Sequence, residues 1–176
     1  MRSIVILTRH PKRKARNVAR SATSNAHTAL ILRRVFNAPI ERVFDAWTKA
    51  EMLARWFGPV GFTVTASDID LITGGEYIIA IRSPEGAVIR HFGAYVEVIP
   101  PERLVFTWRL ESQACGGGKD QCAETLVSID FKRIGQSTEI ELTHEKLPSK
   151  AAYDGHEFGW NSTFDSFEYF VLTKLS

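Results

Sequence analysis

The strongest constraint on this sequence is a change in the period of its apolar residues. From residue 62 to residue 145 the chain consists of short, strand-like apolar runs that are separated by Gly and Pro, with no helical segment among them. The last segment has a helical period instead. Its apolar residues recur at spacings of four, three and four: Trp160, Phe164, Phe167 and Val171. Because no βαβ alternation is present, we predict an antiparallel sheet rather than a parallel one.

The fold class predicted from this order is α+β. A curved antiparallel sheet of about six to seven strands wraps around a long C-terminal helix, and two short helices follow the first strand. Pro39 favours the start of these short helices, and Gly58 followed by Pro59 favours their end. The predicted strands cover residues 28–36, 62–72, 76–82, 88–99, 103–110, 125–132 and 138–145.

The charge distribution divides the chain into two regions. Residues 1–27 contain seven basic residues and no acidic residue, whereas residues 28–176 hold the other 15 basic residues and all 20 acidic ones, a net charge of −5. We interpret residues 1–27 as a disordered basic tail. A targeting peptide, or a basic arm for nucleic acid or an anionic membrane, is an alternative. Residues 28–176 form the predicted domain.

Composition also limits the partners and the location of this domain. Its acidic balance makes it a poor partner for nucleic acid. No stretch of the chain approaches the roughly 20 apolar residues of a membrane span. Without a secretory signal we expect a cytoplasmic protein, in which Cys115 and Cys122 are reduced, although a hairpin could bring these two thiols together.

No catalytic or metal-binding motif is present in the sequence. His156 and Glu157 begin a His-Glu-x-x-His pattern, but Trp160 occupies the position of the second histidine. We therefore predict no catalytic residue, no metal ligand and no cofactor. Gly155 and Gly159 interrupt the last helix, and they indicate either a late helix start or a close approach to the sheet.

Strand parity predicts which side chains face the C-terminal helix. If residues 83–86 form the turn, Ile81 pairs with Val88, Ile79 pairs with Arg90, and Tyr77 pairs with Phe92. These side chains then share the inner face, opposite the Trp and Phe rings of the helix. The same parity turns His91 outward, to the surface.

The inner face predicts either a closed core or a ligand cavity. In the second case Arg90 and His156 supply the few polar contacts; otherwise Arg90 reaches solvent and His156 is a satisfied core group. Trp56 either lines the cavity mouth or anchors a short helix. The predicted ligand-binding residues are Trp56, Tyr77, Ile79, Ile81, Arg90, Phe92, Trp108, His156, Trp160 and Phe164.

An ordered series of motifs carries a resemblance to a known family. The motifs are Asn37-Ala38-Pro39 with residues 43–48, Trp56-Phe57-Gly58-Pro59, Gly74-Gly75, Gly93-Ala94-Tyr95, residues 100–108, Thr143-His144 and residues 156–160. Together they resemble the homologue family of the 90-kDa heat-shock protein ATPase activator, specifically its C-terminal-domain-like members, within the START-related helix-grip superfamily. The resemblance extends from about Leu30 to Leu175 and leaves out the basic tail.

This resemblance implies the helix-grip fold and a choice among three functions. Members of the superfamily bind lipids, polyketides and other hydrophobic ligands, some are cyclases, and some act as chaperone partners in the stress response. We expect binding of a hydrophobic small molecule, namely a lipid, polyketide or aromatic metabolite. The alternatives are a cyclase or hydratase-type enzyme and a co-chaperone-like module for protein interaction. Activation of a heat-shock ATPase is not expected, because the eukaryotic activator uses a further N-terminal domain.

Overall fold

The structure, a computed structural model, describes residues 29–111 and 123–175. The basic tail and the loop with Cys115 and Cys122 lie outside these residues. The strands are β1 Leu30–Phe36, β2 Thr63–Ile69, β3 Glu76–Arg82, β4 Val88–Ile99, β5 Arg103–Leu110, β6 Thr125–Ile134 and β7 Ser137–Glu145. The helices are α1 Ile40–Thr48, α2 Ala50–Leu53 and α3 Lys150–Phe170, and α3 continues as a π-helical turn over Val171–Leu175. Within the described ranges, no helix has the length and apolar character needed to cross a membrane.

The seven strands form one curved antiparallel sheet, which confirms the predicted α+β helix-grip class. Their spatial order is β1-β7-β6-β5-β4-β3-β2, and each neighbouring pair is antiparallel. Short connections join β2 to β3, β3 to β4, β4 to β5 and β6 to β7, as is usual for antiparallel neighbours. The last strand, β7, pairs with β1 at one edge of the sheet, and α1 and α2 connect β1 to β2 at the other edge.

Helix α3 packs lengthwise on the inner face of the sheet. Ser149 caps its start, because the Ser149 hydroxyl accepts a hydrogen bond from the backbone N–H of Ala152 at 3.2 Å. The buried ring of Phe36 contacts the rings of Phe164 and Phe167, with centroids 5.7 and 4.8 Å away. These edge contacts fasten the second half of α3 to β1.

The predicted register between β3 and β4 is wrong by one residue. Ile81 pairs with Ile89, and Ile79 pairs with His91. The connection between the paired residues Arg82 and Val88 covers residues 83–87, five residues rather than four. Within it, the Ser83 N–H donates to the Ala87 carbonyl, and the extra residue is accommodated because Gly86 takes the left-handed conformation at φ +93°.

This shift turns every side chain of β4 to the opposite face, since side chains alternate along a strand. His91 consequently faces inward and is buried. Arg90 and Phe92 lie on the outer face, contrary to prediction, and Arg90 forms an exposed ion pair with Glu111 at 3.0 Å.

The aromatic partners of α3 also differ from the prediction. The ring of Trp160 lies 5.1 Å from that of Trp108 on β5. Tyr77 instead contacts Tyr95 and Phe106, and its hydroxyl donates to the Thr107 carbonyl at 2.8 Å. The rings of α3 were predicted to lie opposite Tyr77 and Phe92. They instead contact Trp108 on β5 and Phe36 on β1.

Candidate functional site

A pocket of about 220 Å³ lies between the inner face of the sheet and the first half of α3. The sheet contributes Ile81, Ile89, His91, Trp108 and Leu110. The segment after α2 contributes Phe57, Gly58, Pro59 and Phe62, and the main residues from α3 are Gly155, His156, Gly159, Trp160 and Thr163. Among the described residues of this wall, none is Asp, Glu, Lys or Arg.

The space between sheet and helix is filled beyond the pocket. Phe164 and Phe167 are fully buried there, and Trp47 stacks near Trp160 at 6.5 Å. Trp56 anchors the end of α2, because its indole N–H donates to the Ala46 carbonyl at 2.9 Å and its ring lies 4.4 Å from Phe167. The second half of the interface is thus a closed aromatic core, and the pocket occupies the other end.

Two glycines keep the helix side of the pocket open. Gly155 and Gly159 are four residues apart, so they share one face of α3. A Cβ atom at either position would meet no heavy atom within 4 Å. The glycines therefore do not mark a close approach to the sheet, and α3 already begins at Lys150, so they do not mark a late start either.

The ten predicted ligand-binding residues divide into three groups. Four line the pocket: Ile81, Trp108, His156 and Trp160. Four are buried in the core outside its wall: Trp56, Tyr77, Ile79 and Phe164. Arg90 and Phe92 lie on the outer face of the sheet. A role in ligand binding stays a prediction for each of them.

Sequence analysis missed His91, which is the inward-facing histidine of β4. Its ring lies 4.6 Å from Trp108 and 6.0 Å from Phe57. Burial lowers the pKa of His91 from 6.5 to about 3, although a hydrogen bond to the backbone of Ile79 acts in the opposite direction. The signal for this residue was Gly86, because a left-handed glycine at the end of the turn lengthens the loop and shifts the register.

A chain of hydrogen bonds runs behind the pocket. The indole Nε1 of Trp160 donates to Nδ1 of His144 at 3.1 Å. Nε2 of His144 lies 2.7 Å from the hydroxyl of Thr125, and this hydroxyl donates to the Trp108 carbonyl at 3.0 Å. Burial lowers the pKa of His144 to about 2, so its ring is neutral.

His156 lines the pocket and also contacts His144, a member of this series of hydrogen bonds. Its ring is edge-on to that of His144, with centroids 4.5 Å apart. Nδ1 of His156 donates to the Ala152 carbonyl at 2.7 Å, since a carbonyl can only accept. Burial lowers the pKa of His156 as well, so Nε2 is the acceptor of a neutral ring.

Two polar atoms of the pocket wall lack hydrogen-bond partners among the described residues. They are Nδ1 of His91 and Nε1 of Trp108, and both are buried. Nε1 of Trp47 is also without a partner in the described part of the chain, but Trp47 does not line the pocket. No group of three or more potential metal ligands occurs in residues 29–111 and 123–175. The site is therefore an apolar, uncharged pocket with a few buried polar atoms.

Comparison with protein families gives one match. Residues 37–171 match the model described as activator of Hsp90 ATPase homolog 1-like protein, which covers more than half of the chain. No functionally curated protein matches the chain.

Several solved structures are similar to the chain over most of its length. A protein from Staphylococcus epidermidis is 28% identical, with a TM-score of 0.68 and coverage of 84% of this chain and 92% of its own. The AHSA1 protein from Silicibacter pomeroyi is 26% identical, with a TM-score of 0.71 and coverage of 82% and 98%. A protein from Chromobacterium violaceum is 23% identical, with a TM-score of 0.69 and coverage of 81% and 96%, and its likeness concerns the fold alone.

Proposed function

The chain belongs to the family of activator of Hsp90 ATPase homolog 1-like proteins, and from this premise we propose that it binds a hydrophobic small molecule between its sheet and α3. One observation carries the proposal, namely the 220 Å³ pocket with a largely apolar wall. Ligand sites are typically apolar hollows with a few polar groups that orient the ligand. The pocket is smaller than the roughly 300 to 1,000 Å³ of most such sites, which favours a compact ligand.

The two glycines of α3 support a functional pocket. Glycine in a helix interior costs about 1 kcal/mol relative to alanine. Open space surrounds both positions, so alanine would fit at Gly155 and Gly159. The chain thus forgoes about 2 kcal/mol of helix stability at the two positions that border the pocket, as proteins often do where function needs the space.

The pocket gives less support to an enzyme of the cyclase or hydratase type. Acid–base catalysis needs a group that exchanges protons near the working pH. Burial lowers the pKa of His91 to about 3 and also lowers the pKa of His156. No carboxylate from the described residues lines the wall beside them. Binding without turnover is therefore the preferred function.

A second candidate function is contact with another protein, such as a chaperone. The side chains of Phe158 and Tyr169 are 75% and 72% exposed on α3. Eleven residues separate them, which places both on the outward face of the helix. If this face binds a chaperone, a Phe158→Ser/Tyr169→Ser variant loses binding to purified Hsp90 while it keeps its fold. Equal binding of Hsp90 by wild type and variant contradicts this candidate.

Naphthalene is a suitable first ligand for testing the pocket, because it is compact and apolar. At ten times its Kd, a ligand stabilises the folded state by about 1.4 kcal/mol, which raises Tm by about 3 to 5 °C. We expect this shift in the wild-type protein. We also expect chemical-shift changes in ¹⁵N spectra that are confined to β3, β4, β5, α3 and the segment after α2 from Phe57 to Phe62.

A matched pair of leucine substitutions separates the pocket from the rest of the helix. Gly159→Leu places a side chain in the open space and abolishes the naphthalene shift. Phe158→Leu changes the neighbouring, exposed residue and leaves the shift intact. If Gly159→Leu retains full naphthalene binding, or if wild type shows no binding of naphthalene or 2-naphthol, the pocket is not the ligand site.

A further inference from the structure

We propose that residues 1–16 of the basic tail bind to the outer face of the sheet, in a hollow formed mainly by β2, β3, β4 and β5. We call this surface the outer hollow. Its volume is about 710 Å³, and it contains Ile78, which is 50% exposed, and the partly buried Phe92. The outer hollow lies on the opposite face of the sheet from the pocket, so the inference does not depend on the proposed function.

One row of paired residues crosses the outer hollow from strand to strand. Asp68 on β2 is paired with Ile78 on β3. Ile78 is also paired with Phe92 on β4, and Phe92 with Arg109 on β5. Directly paired side chains share one face of a sheet. Because the Arg109 guanidinium binds Glu124 at 2.8 Å, the row has an apolar centre between a carboxylate at one end and an ion pair at the other.

The outer hollow carries a negative charge. Its charged side chains are Asp68, Asp70, Glu76, Arg109 and Glu124. Arg109 and Glu124 neutralise each other. The other three carboxylates form no ion pair within residues 29–111 and 123–175. A surface with this charge and an apolar centre favours a partner that is both basic and apolar.

The basic tail has the complementary pattern. Its apolar run Ile4-Val5-Ile6-Leu7 lies between Arg2 and Arg9, and four more basic residues follow by residue 16. An extended run of four residues spans about 13 Å, and the three strand spacings from β2 to β5 amount to about 14 Å. The run therefore matches the width of the row, and the neighbouring cations can approach the carboxylates beside it.

The chain between the tail and the sheet is long enough for this contact. β1 begins at Leu30, at the edge of the sheet opposite β2. Five strand spacings from β1 to β3 amount to about 24 Å along the sheet. Residues 17–29 can span at most about 45 Å. Attachment to the same chain raises the effective concentration of the tail at this surface, which favours it over a second copy of the protein.

A second apolar surface lies closer to the start of β1 and provides an internal comparison. Ile31 and Val35 on the outer face of β1 are 50% and 49% exposed, much like Ile78. The charged side chains beside them balance, two basic and two acidic: Arg33, Lys132, Glu139 and Glu141. Since the exposed apolar residues are similar at the two surfaces, the negative charge of the outer hollow should direct the tail there.

The exposed face of α3 is also a weaker match for the tail. Arg34 binds Asp165 at 2.6 Å and lies 3.5 Å from Glu168. Lys150 binds Asp154 at 2.6 Å. Cations of the described residues therefore already pair with most of the carboxylates on this helix.

A nitroxide on residue 3 locates the tail in the full-length protein. The label is attached to Ser3→Cys, after Cys115→Ser and Cys122→Ser have removed the other two thiols. It broadens the ¹⁵N-edited amide signals of residues close to it. Comparison of the oxidised and reduced nitroxide gives the broadening at each residue.

The broadening should be confined to the outer hollow. In low salt we expect strong broadening of the amide signals of Ile78 and Phe92, and none at Ile31 and Val35. In about 1 M NaCl the Debye length falls to about 3 Å, so most of the broadening should be lost. This comparison uses the unaltered surface, so it does not depend on whether a surface variant folds.

Two charge-reversal variants test the role of the carboxylates. Asp68→Lys/Asp70→Lys reverses charge in the outer hollow and should abolish the broadening there. Glu139→Lys/Glu145→Lys is the matched control, because it makes the same charge change on β7, nearer to the start of β1. The control should keep the broadening in the outer hollow.

Three results would overturn the inference. The first is equal broadening, or none, at the outer hollow and at Ile31 and Val35. The second is broadening that persists in Asp68→Lys/Asp70→Lys, because charge then does not direct the tail. The third comes from a mixture of spin-labelled ¹⁴N protein and unlabelled ¹⁵N protein: equally strong broadening in this mixture makes a second copy the occupant.

Discussion

The indole N–H of Trp160 donates to Nδ1 of His144, and this contact determines the tautomer of a fully buried histidine. Since indole nitrogen can only donate, Nδ1 carries the lone pair and the proton of the neutral ring resides on Nε2. Nε2 then donates to the hydroxyl of Thr125, and this hydroxyl donates to the carbonyl of Trp108. The chain of hydrogen bonds joins α3 to β7, β6 and β5 without any charged group.

This arrangement predicts the protonation state of His144. Burial lowers its pKa to about 2, so we expect the neutral ring with its proton on Nε2 from pH 8 to pH 4. Two-dimensional ¹H–¹⁵N spectra that display the imidazole nitrogens distinguish the two tautomers. A titration of His144 near its ordinary pKa of 6.5, or a proton on Nδ1, contradicts the prediction.

The contact between Trp160 and His144 should be measurable as a coupling energy. His144→Leu leaves the Trp160 N–H without its acceptor and the Thr125 hydroxyl oxygen without its donor, and we expect it to lower the free energy of unfolding by about 2 to 4 kcal/mol. In a double-mutant cycle with Trp160→Phe, the coupling should be about 1 kcal/mol.

Thr138→Val is a suitable control for this cycle. The Thr138 hydroxyl donates to the Ala38 carbonyl at 2.8 Å and is also buried. It lies six residues along β7 from His144, roughly 20 Å away. The effects of Thr138→Val and His144→Leu should therefore add within about 0.5 kcal/mol. If the effects of His144→Leu and Trp160→Phe on the free energy of unfolding also add, the two side chains are not coupled, and the contact between Trp160 and His144 is contradicted.

Buried histidines should make the protein sensitive to mild acid. The pKa of His91 falls from 6.5 to about 3 on folding, and that of His144 falls to about 2. Below pH 6.5 the unfolded state therefore binds more protons than the folded state, and stability decreases as the pH falls. Each histidine contributes a slope of about 1.4 kcal/mol per pH unit down to its folded pKa.

Denaturant unfolding at pH 8 and pH 5 measures this effect. The two histidines together should lower the free energy of unfolding by about 4 kcal/mol between these values. The His91→Phe variant should lose about half of this difference, because one of the two groups no longer titrates. A free energy of unfolding that is equal at pH 8 and pH 5 contradicts neutral burial of both rings.

Alanine at the two pocket glycines should stabilise the protein and weaken ligand binding. Gly155→Ala and Gly159→Ala each relieve the helix cost of glycine and meet no neighbouring atom, so we expect a gain of about 0.5 to 1 kcal/mol at each site. The added methyl groups occupy pocket volume, so naphthalene should bind more weakly to the double variant. Calorimetric Kd values and urea unfolding give both quantities. Lower stability in either variant would mean that the space is not open.

Arg90 should have little effect on ligand binding. Its guanidinium is paired with Glu111 on the outer face, where ion pairs contribute about 0 to 1 kcal/mol. We expect Arg90→Met to bind naphthalene and 2-naphthol with Kd values within about twofold of wild type. A tenfold loss of affinity in Arg90→Met, measured at equal stability, would show that Arg90 takes part in ligand binding.

Local patterns in the sequence determined the elements of this protein. The predicted bounds of β3, β4 and β5 agree with the structure, because alternation of apolar residues is a local property and Gly or Pro ends each run. The spacing of Trp160, Phe164 and Phe167 likewise identified the buried face of α3. An antiparallel sheet with a C-terminal helix then followed from element order alone.

Only the tertiary structure decided which side chains meet. The extra residue in the loop at Gly86 puts His91, rather than Arg90, on the inner face, since a register shift of one residue turns each side chain of a strand to the other face. The pairing of Trp160 with His144 and Trp108 depends on the placement of α3 across strands distant in sequence, and so does the pocket beside Gly155 and Gly159. Periodicity specifies the face that a segment buries, but the partner on that face is set by long-range packing.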